Sequence, residues 1–495
     1  MKTILVCLLL LATARAAETI DLSLRDGQVG PVSNHYPAGT PVVREYHNLQ
    51  YPESTYFDDS TASLFISNIN GPGLAKDGNG WIAKVSTEPL DTEARPWVRG
   101  LNAPKGMASF NGTLWVADID ELVGIDIKGG RVKTKILVPG AKLLNDVVID
   151  GKGVIYVSDT FTSSIHQVVD GKVSLFESGD RLNSPNGLVL DGDRLIVTSY
   201  GLTAGKWVTP VPGALYALDL KTKKRTDLLK KKDFQVLDGL LKFEGDHYLF
   251  TEGPAGTVHL GDLKSGTSRP LITGVWGAAD IGYSPAKKLL AIPRLDEDKV
   301  VLVRMEGLSW KEAQAPVPVT WDPTLEKGRI KASVGFCIAC HGARDTAFLP
   351  IIKGQKEEYL VKAIKDFRSG ERQNPLMNPP AGKLTDEEVA YLAKFFASRP
   401  APKSVHRVTD EASYEAGKKI SLATCVSCHG VEALAADPTL PKLSGQRKAY
   451  LVKTLTDFKT GLRKNEVMKT IVDELSEKDV SAVAEYYSNL EPGDK

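Results

Sequence analysis

Cys337-Ile338-Ala339-Cys340-His341 and Cys425-Val426-Ser427-Cys428-His429 are two copies of one pattern, Cys-x-x-Cys-His. Two thiols at that spacing can add to both vinyl groups of one haem, and the adjacent His can then reach the iron as an axial ligand. A single copy would also suit a zinc or redox motif. The context of the two copies argues for haem. Gly370-Glu371-Arg372 is followed by Met377 and Gly461-Leu462-Arg463 by Met468, each Met lying seven residues after its Gly. The chain has five Met in 495 residues, so two at one place in two repeats are poorly explained as core filler. A thioether is a soft, neutral ligand for low-spin haem iron, and His/Met ligation raises its potential. The pattern predicts one haem held by Cys337 and Cys340 with His341 and Met377 on the iron. It predicts a second held by Cys425 and Cys428 with His429 and Met468.

The cysteine count agrees, because five Cys leave only Cys7 outside the two motifs. Met1-Lys2-Thr3, the apolar run Ile4 to Ala12 and Ala14-Arg15-Ala16 read as a secretory leader over residues 1–16. The run is too short to span a bilayer, and no later segment is long and apolar enough. Haem attachment in an exported chain predicts a periplasmic location, with thiols serving haem and not disulfides. A formal net charge of +1 carries no nucleic-acid footprint.

The character of the chain changes near residue 306. Before it, short β-rich runs alternate with Gly, Asn and Asp turns. Leu64-Phe65-Ile66-Ser67, Leu114-Trp115-Val116-Ala117, Val154-Ile155-Tyr156-Val157, Leu195-Ile196-Val197-Thr198, Tyr248-Leu249-Phe250-Thr251 and Leu289-Leu290-Ala291-Ile292 start 50, 40, 41, 53 and 41 residues apart. A four-stranded unit repeated at that period predicts an all-β six-bladed propeller over residues 46–305, with a pair of β-sandwiches as the alternative. Pro41-Val42-Val43-Arg44 is a candidate closing strand for the last blade, preceded by an N-terminal segment that fills 17–45.

Residues 306–322 read as a linker around Ala313-Gln314-Ala315-Pro316-Val317-Pro318-Val319. Beyond it the period is helical. Tyr359, Leu360, Ala363, Ile364 and Phe367 share one face of a helix over 357–369, and Tyr450, Leu451, Leu455 and Phe458 repeat it. Thr385-Asp386-Glu387-Glu388 is a capping box opening a helix that ends in Phe395-Phe396, and Ser476-Glu477-Lys478-Asp479 opens its counterpart. Two all-α domains are expected, at 323–400 and 411–492.

Each repeat reads haem motif, Leu-Pro, Gly-Gln, helix, Gly-x-Arg, Met, helix. This resembles a class I cytochrome c, and the tandem resembles the two-domain dihaem cytochromes c of the bacterial periplasm. The resemblance implies that Pro350 and Pro441 offer their carbonyls to the ligand histidines, a contact that tunes a metal site. With both axial positions filled by protein, the expected chemistry is electron transfer between redox partner proteins, a donor dehydrogenase or a terminal acceptor.

Each blade also carries one residue where its inner strand would begin: Glu53, Lys105, Asn145, Asn186, Asp238 and Asp280. A ring of carboxylate and carboxamide oxygens suits a hard cation such as Ca²⁺. The alternative is that Asn-Gly and Asp-Gly mark turns. The Pro-Asn-Gly-Leu and Leu-Asp-Gly-Leu segments resemble the gluconolactonase, senescence-marker-protein and luciferin-regenerating-enzyme family of six-bladed propellers. That resemblance implies one divalent metal on Glu53, Asn145, Asn186 and Asp238, with Asp238 as general base. It leaves Lys105 and Asp280 outside the metal set, where they could pair across the channel. His35, His47, His166, His247, His259 and His406 form no ligand-spaced cluster, and most are expected at surfaces or turns.

Three functions fit. The propeller could bind or oxidise a small molecule and feed the haems. It could be a metal-dependent lactonase or esterase with a cytochrome attached. It could also be a non-enzymatic dock for a partner dehydrogenase. No Gly-x-Gly-x-x-Gly fingerprint of a dinucleotide site opens a helix after a strand.

Overall fold

The computed structural model describes residues 20–21, 41–71, 73–203, 211–231, 234–275, 277–306, 337, 341, 349–399, 401, 408, 410–430 and 437–490. The expected leader (1–16), the linker beyond Glu306, Cys340, His35 and His406 lie outside the described residues.

Six sheets follow one another along the N-terminal part of the chain and form a six-bladed propeller. Their first strands are Pro52–Asp58, Pro104–Phe110, Leu144–Ile149, Pro185–Asp191, Leu237–Lys242 and the short Gly282–Ser284. These strands pack on one another from blade to blade and so wall the central channel. The apolar runs of the sequence are the second strands, from Ser63–Asn68 in blade one to Leu289–Arg294 in blade six. They read as continuous rather than alternating because both of their faces are buried between neighbouring sheets.

The ring closes through Val42–Tyr46, which pairs antiparallel with Lys299–Arg304 as the outer strand of blade six. The propeller therefore starts ahead of the boundary read at residue 46. Ile20–Asp21 adds a short parallel strand to the edge of blade five. Tyr46, Leu64, Ile66 and Trp81 then pack with Ala291, Val300 and Leu302, so the first and last blades share one hydrophobic layer.

A repeated device aligns the first strands. In five of them the pairing register shifts just after the second residue. The freed amide of the third residue is met by a hydroxyl on the second strand. Ser54 N donates to Ser67 Oγ at 2.9 Å, Asp146 N to Ser158 Oγ at 2.9 Å, Gly187 N to Thr198 Oγ1 at 3.0 Å and Gly239 N to Thr251 Oγ1 at 2.8 Å. Three of these hydroxyls donate onward to the next blade: Ser158 to the Asn186 carbonyl at 2.6 Å, Thr198 to that of Asp238 at 2.5 Å and Thr251 to that of Ala279 at 2.9 Å.

The same approach explains the glycines. A Cβ on Gly187 would lie 2.5 Å from the Asp238 carbonyl oxygen, and one on Gly239 would lie 2.6 Å from both the Ala279 oxygen and Asp280 Cα. Neither Gly has positive φ, so what each supplies is space and not a turn conformation. Asn186-Gly187 and Asp238-Gly239 are therefore strand residues, and the turn alternative is set aside.

The C-terminal part is helical. Glu357–Ser369 buries Leu360, Ala363 and Phe367 and packs on Asp386–Ala397, which opens with the Thr385/Glu388 capping box. In the second repeat Lys448–Lys459 packs on Glu477–Ser488, which opens with the Ser476/Asp479 box. Glu411–Ile420 crosses Glu477–Ser488 so closely that a Cβ on Gly417 would lie 1.9 Å from the Ala482 oxygen. Two opposed effects set the outcome of Gly417→Ala. Helix propensity favours Ala by about 1 kcal/mol, while overpacking costs about 1–3 kcal/mol and, with backbone as the obstacle, lies at the high end. A lower unfolding temperature of the helical part is expected by circular dichroism, with the propeller transition unmoved. An unchanged or raised temperature would show that the helices separate freely.

Candidate functional site

Glu53, Lys105, Asn145, Asn186 and Asp238 are each the second residue of a first strand. Asp280 occupies the matching place in blade six, bridged in parallel to Ser54. Its amide donates to the Glu53 carbonyl at 3.0 Å, and its carbonyl accepts from Thr55 N at 3.1 Å. The structure thus brings all six expected residues to the channel. It adds one the sequence reading passed over, Asp146, whose signal was its place directly after Asn145 in the repeated motif.

Four carboxyls and one ammonium meet in this space. Glu53 and Asp146 are pushed well above the usual carboxyl range, by burial first and then by neighbouring carboxylates. Asp238 is raised to about 7 by burial and by Asp280, against the pull of Lys105. Asp280 is raised to about 7 by burial, although Ser54 Oγ donates to it at 2.5 Å. Asp146 is spoken for structurally, accepting from Val147 N at 2.7 Å and from Leu188 N of the next blade at 2.6 Å. Lys105 donates to the Ala103 and Gly73 carbonyls at 2.9 and 3.3 Å and stabilises the anions of Glu53 and Asp238. Asp280 is met by the Ser54 hydroxyl and by the Leu240 amide. Asp238 keeps partial solvent contact at the channel while protein surrounds it on the other sides.

The donor set fits a hard cation on one specific observation. Glu53 Oε2 and Asn186 Oδ1 are buried oxygens without a hydrogen-bond partner. Asn186 Nδ2 donates to the Leu237 carbonyl at 3.3 Å, which fixes the amide and leaves its oxygen as the free atom. Orphaned buried oxygens are costly unless something satisfies them. Among the described residues no group of three His, Cys, Asp or Glu is arranged as a metal site. A cation here would accordingly need the carboxamides of Asn145 and Asn186 beside Glu53 and Asp238.

Two histidines are neither at the surface nor in turns. His166 and His259 are buried at corresponding places on the third strands of blades three and five, opposite Val157 and Phe250. His259 Nε2 lies 2.9 Å from Glu252 Oε2, and its ring stacks on Phe250 at 5.0 Å. His259 thereby braces the end of a second strand, whereas His166 Nε2 lies 4.0 Å from Asp159 Oδ2 and makes no hydrogen bond. His47 is exposed beside Glu45 as expected.

In the first helical domain, Cys337 packs against Leu360, Leu392 and Phe396. His341 Nδ1 lies 3.0 Å from the Pro350 carbonyl. A carbonyl can only accept, so Nδ1 carries the proton and Nε2 is left with its lone pair for iron. Burial lowers the pKa of His341 against the pull of Pro350, which keeps the ring neutral as ligation requires. In the second domain Cys425 packs against Leu451 and Tyr487, and Cys428 is exposed. Pro441 acts on His429 in the same sense as Pro350 on His341, but His429 Nδ1 makes no hydrogen bond of good geometry, so the second contact is looser. Met377 and Met468 are each presented by an Asn three residues earlier, which the sequence reading missed. Asn374 Oδ1 accepts from Met377 N at 3.2 Å, and Asn465 Oδ1 accepts from Met468 N at 2.9 Å.

The two helical domains grip each other reciprocally. Gln446 Oε1 accepts from Ile351 N at 2.8 Å and its Nε2 donates to Ile351 O at 3.0 Å. Gln355 does the same for Lys442, at 2.8 and 3.0 Å. Ile351 and Lys442 directly follow Pro350 and Pro441. Arg372 donates to the Tyr450 hydroxyl at 3.1 Å and Arg463 to that of Tyr359 at 3.5 Å. The Gly-Gln and Gly-x-Arg segments thus form a seam with approximate twofold symmetry. Replacing both Gln355 and Gln446 by Leu removes the four hydrogen bonds that cross the seam, worth about 1 kcal/mol each, and strands the backbone of Ile351 and Lys442. Two separate unfolding steps are expected in place of one; a single coincident step would mean that other contacts hold the seam.

A cytochrome c family model matches residues 414–491. The thiosulfate dehydrogenase electron acceptor of Stutzerimonas stutzeri is 35% identical over 169 residues, covering 31% of this chain and 78% of that protein. A cytochrome c4 from Thiocapsa roseopersicina is 34% identical over 190 residues, covering 36% of this chain and 97% of that one. A solved gluconolactonase from Xanthomonas campestris is 14% identical at a TM-score of 0.41, over 59% of this chain and 99% of its own. Among the described residues no helix is long and apolar enough to cross a membrane. With two Cys-x-x-Cys-His motifs, a histidine held by a proline carbonyl and relatives matched over most of their length, the chain belongs, through its haem-binding part, to the cytochrome c4 family of electron-transfer proteins.

Proposed function

We propose that this is a periplasmic electron-transfer protein with two c-type haems, in which the propeller binds a divalent cation and a small-molecule substrate and passes electrons from it to the haems. The first haem is held by Cys337 and Cys340 with His341 and Met377 on iron, the second by Cys425 and Cys428 with His429 and Met468. In the channel Glu53, Asn145, Asn186 and Asp238 hold the cation, Ca²⁺ before Mg²⁺ or Mn²⁺, because all the donors are oxygens. The observation that carries the reading is the pair of orphaned oxygens on Glu53 and Asn186, set beside Asp238 in a chain that also carries two Cys-x-x-Cys-His motifs. Asp238, raised to about 7, suits a proton acceptor near neutral pH. The same property favours a second reading, hydrolysis of a lactone or ester at the metal.

Anaerobic mixing of the oxidised protein with sugars, lactones and aromatic alcohols separates the two. Haem reduction without a partner is expected; hydrolysis without reduction would replace the first reading by the second.

A pyridine haemochrome assay is expected to return two c-type haems per chain, and one or none would overturn the assignment. Met377→Ala should open a coordination position and lower the potential of that haem. An unaltered spectrum and potential would remove Met377 from the ligand set.

The channel acids predict a pH dependence. Asp238 and Asp280 titrate near 7 when folded against an ordinary value of 3.8. Between those values the unfolded chain releases protons that the folded one retains, so their contribution to stability falls as pH rises and is lowest above 7. In a chelator, the propeller of Asp238→Asn should lose less stability between pH 5 and pH 8 than the wild type. Added Ca²⁺ should restore the wild type at pH 8 and do less for the variant. Parallel pH profiles for the two proteins would contradict the assignment.

A further inference from the structure

Arg399 stands just past the helix Asp386–Ala397 of the first helical domain, with its guanidinium 4.5 Å over the Phe395 ring. It also reaches the propeller, where Nη1 lies 3.6 Å from Glu297 Oε1 of blade six. Neither partner is freely exposed: the Arg399 side chain is 16% exposed and that of Glu297 9%. Glu297 further receives Arg294 and, at 3.2 Å, Lys299. Burial would raise its pKa, but Arg294, Lys299 and Arg399 hold it below the ordinary range, so Glu297 is a fixed anion. Lys299 is shared with Glu45 at 2.9 Å and Arg294 with the Gly274 carbonyl at 2.9 Å, which anchors this anion rigidly in the propeller.

The position of Glu297 matters more than its charge. It ends the short turn Leu295–Glu297 between the second and third strands of blade six. First strands begin at the acid cluster and run away from it, and second strands return. A turn between second and third strands therefore lies on the face where the first strands begin. Hydrogen bonds agree: Leu295 N donates to Gly277 O at 3.1 Å and Ala279 N to Pro293 O at 3.4 Å. The residue after Ala279 is Asp280 of the acid cluster.

On the haem side the foothold is built into the first domain. Gly354 N donates to Phe396 O at 2.9 Å, and a Cβ on Gly354 would lie 2.8 Å from Ala401 N. The next residue, Gln355, forms the seam to the second domain.

We infer that Arg399 on Glu297 docks the first haem domain on the channel-mouth face of the propeller, which makes the haem of His341 the electron entry and the haem of His429 the exit. The order of electron flow rests on the propeller being the electron source, whereas the docking itself does not. Each electron that enters reduces one ferric iron to ferrous, so a two-electron donor fills both haems and releases its protons in the channel.

The full-length holoprotein tests this without a substrate. Arg399→Glu sets two anions face to face and should increase the radius of gyration in small-angle X-ray scattering, with haem spectra and propeller unfolding unchanged. Arg399→Lys keeps the charge and should scatter like the wild type. Carbodiimide treatment of that variant should yield a peptide joining positions 297 and 399. Unchanged scattering in Arg399→Glu with intact haem, or expansion of Arg399→Lys equal to that of Arg399→Glu, would overturn the docking. For the order, any compound found to reduce the wild-type haems should reduce those of Arg399→Glu several-fold more slowly, while dithionite reduces both equally. Equal rates with the compound would overturn the entry assignment. If no compound reduces the wild type, the electron-source reading and the order that rests on it fall, and the scattering result still decides the docking.

Discussion

The close approach of neighbouring first strands around the channel is the constraint on which the propeller depends. Gly187 and Gly239 let the backbone of the next blade come within the space a methyl group would need. Hydroxyls of Ser158, Thr198 and Thr251 then tie each strand to its neighbour by accepting from one and donating to the next. A bulge at the same place in five strands turns the preceding side chain toward the axis. Glu53, Lys105, Asn145, Asn186 and Asp238 converge because of that geometry, and any chemistry in the channel inherits its precision from it.

Convergence has an electrostatic cost. Four carboxyls with one ammonium in a buried space cannot all ionise cheaply, and their raised pKa values express this. Two of the acids are relieved locally, Asp146 by backbone amides and Asp280 by Ser54. Glu53 and Asp238 are not relieved in that way. The division separates acids that hold blades together from acids whose charge only Lys105 offsets, a separation that charge alone would not reveal.

The helical domains solve a different problem, which is to set two buried histidines in neutral form close to a shared boundary. Each histidine faces a proline carbonyl, and the residue after each proline is gripped by a glutamine from the opposite domain. A shift of one domain against the other therefore pulls on the segment that faces a histidine. From Pro350 onward the paired residues recur at a constant offset of 91, as in Gln355 and Gln446, Tyr359 and Tyr450, Asn374 and Asn465. That regularity is the imprint of the seam, legible in the sequence once the contact is known.

The architecture was open to reading because it rests on local patterns. Paired Cys-x-x-Cys-His motifs, capping boxes and the period of apolar runs each follow from chemistry within a few residues, and the helices and blades appear where those patterns put them. The channel position of six residues was also legible, since one motif recurs in each blade. What each residue does was not. Asp146 becomes a strap and two glutamines become the grip between domains, because each role requires a partner distant in sequence, and His166 and His259 become buried because neighbouring strands cover them. Local patterns are set by the neighbours a residue carries along the chain. Burial, charge coupling and hydrogen-bond partnership are set by whatever the fold brings beside it, so only the tertiary structure could decide them.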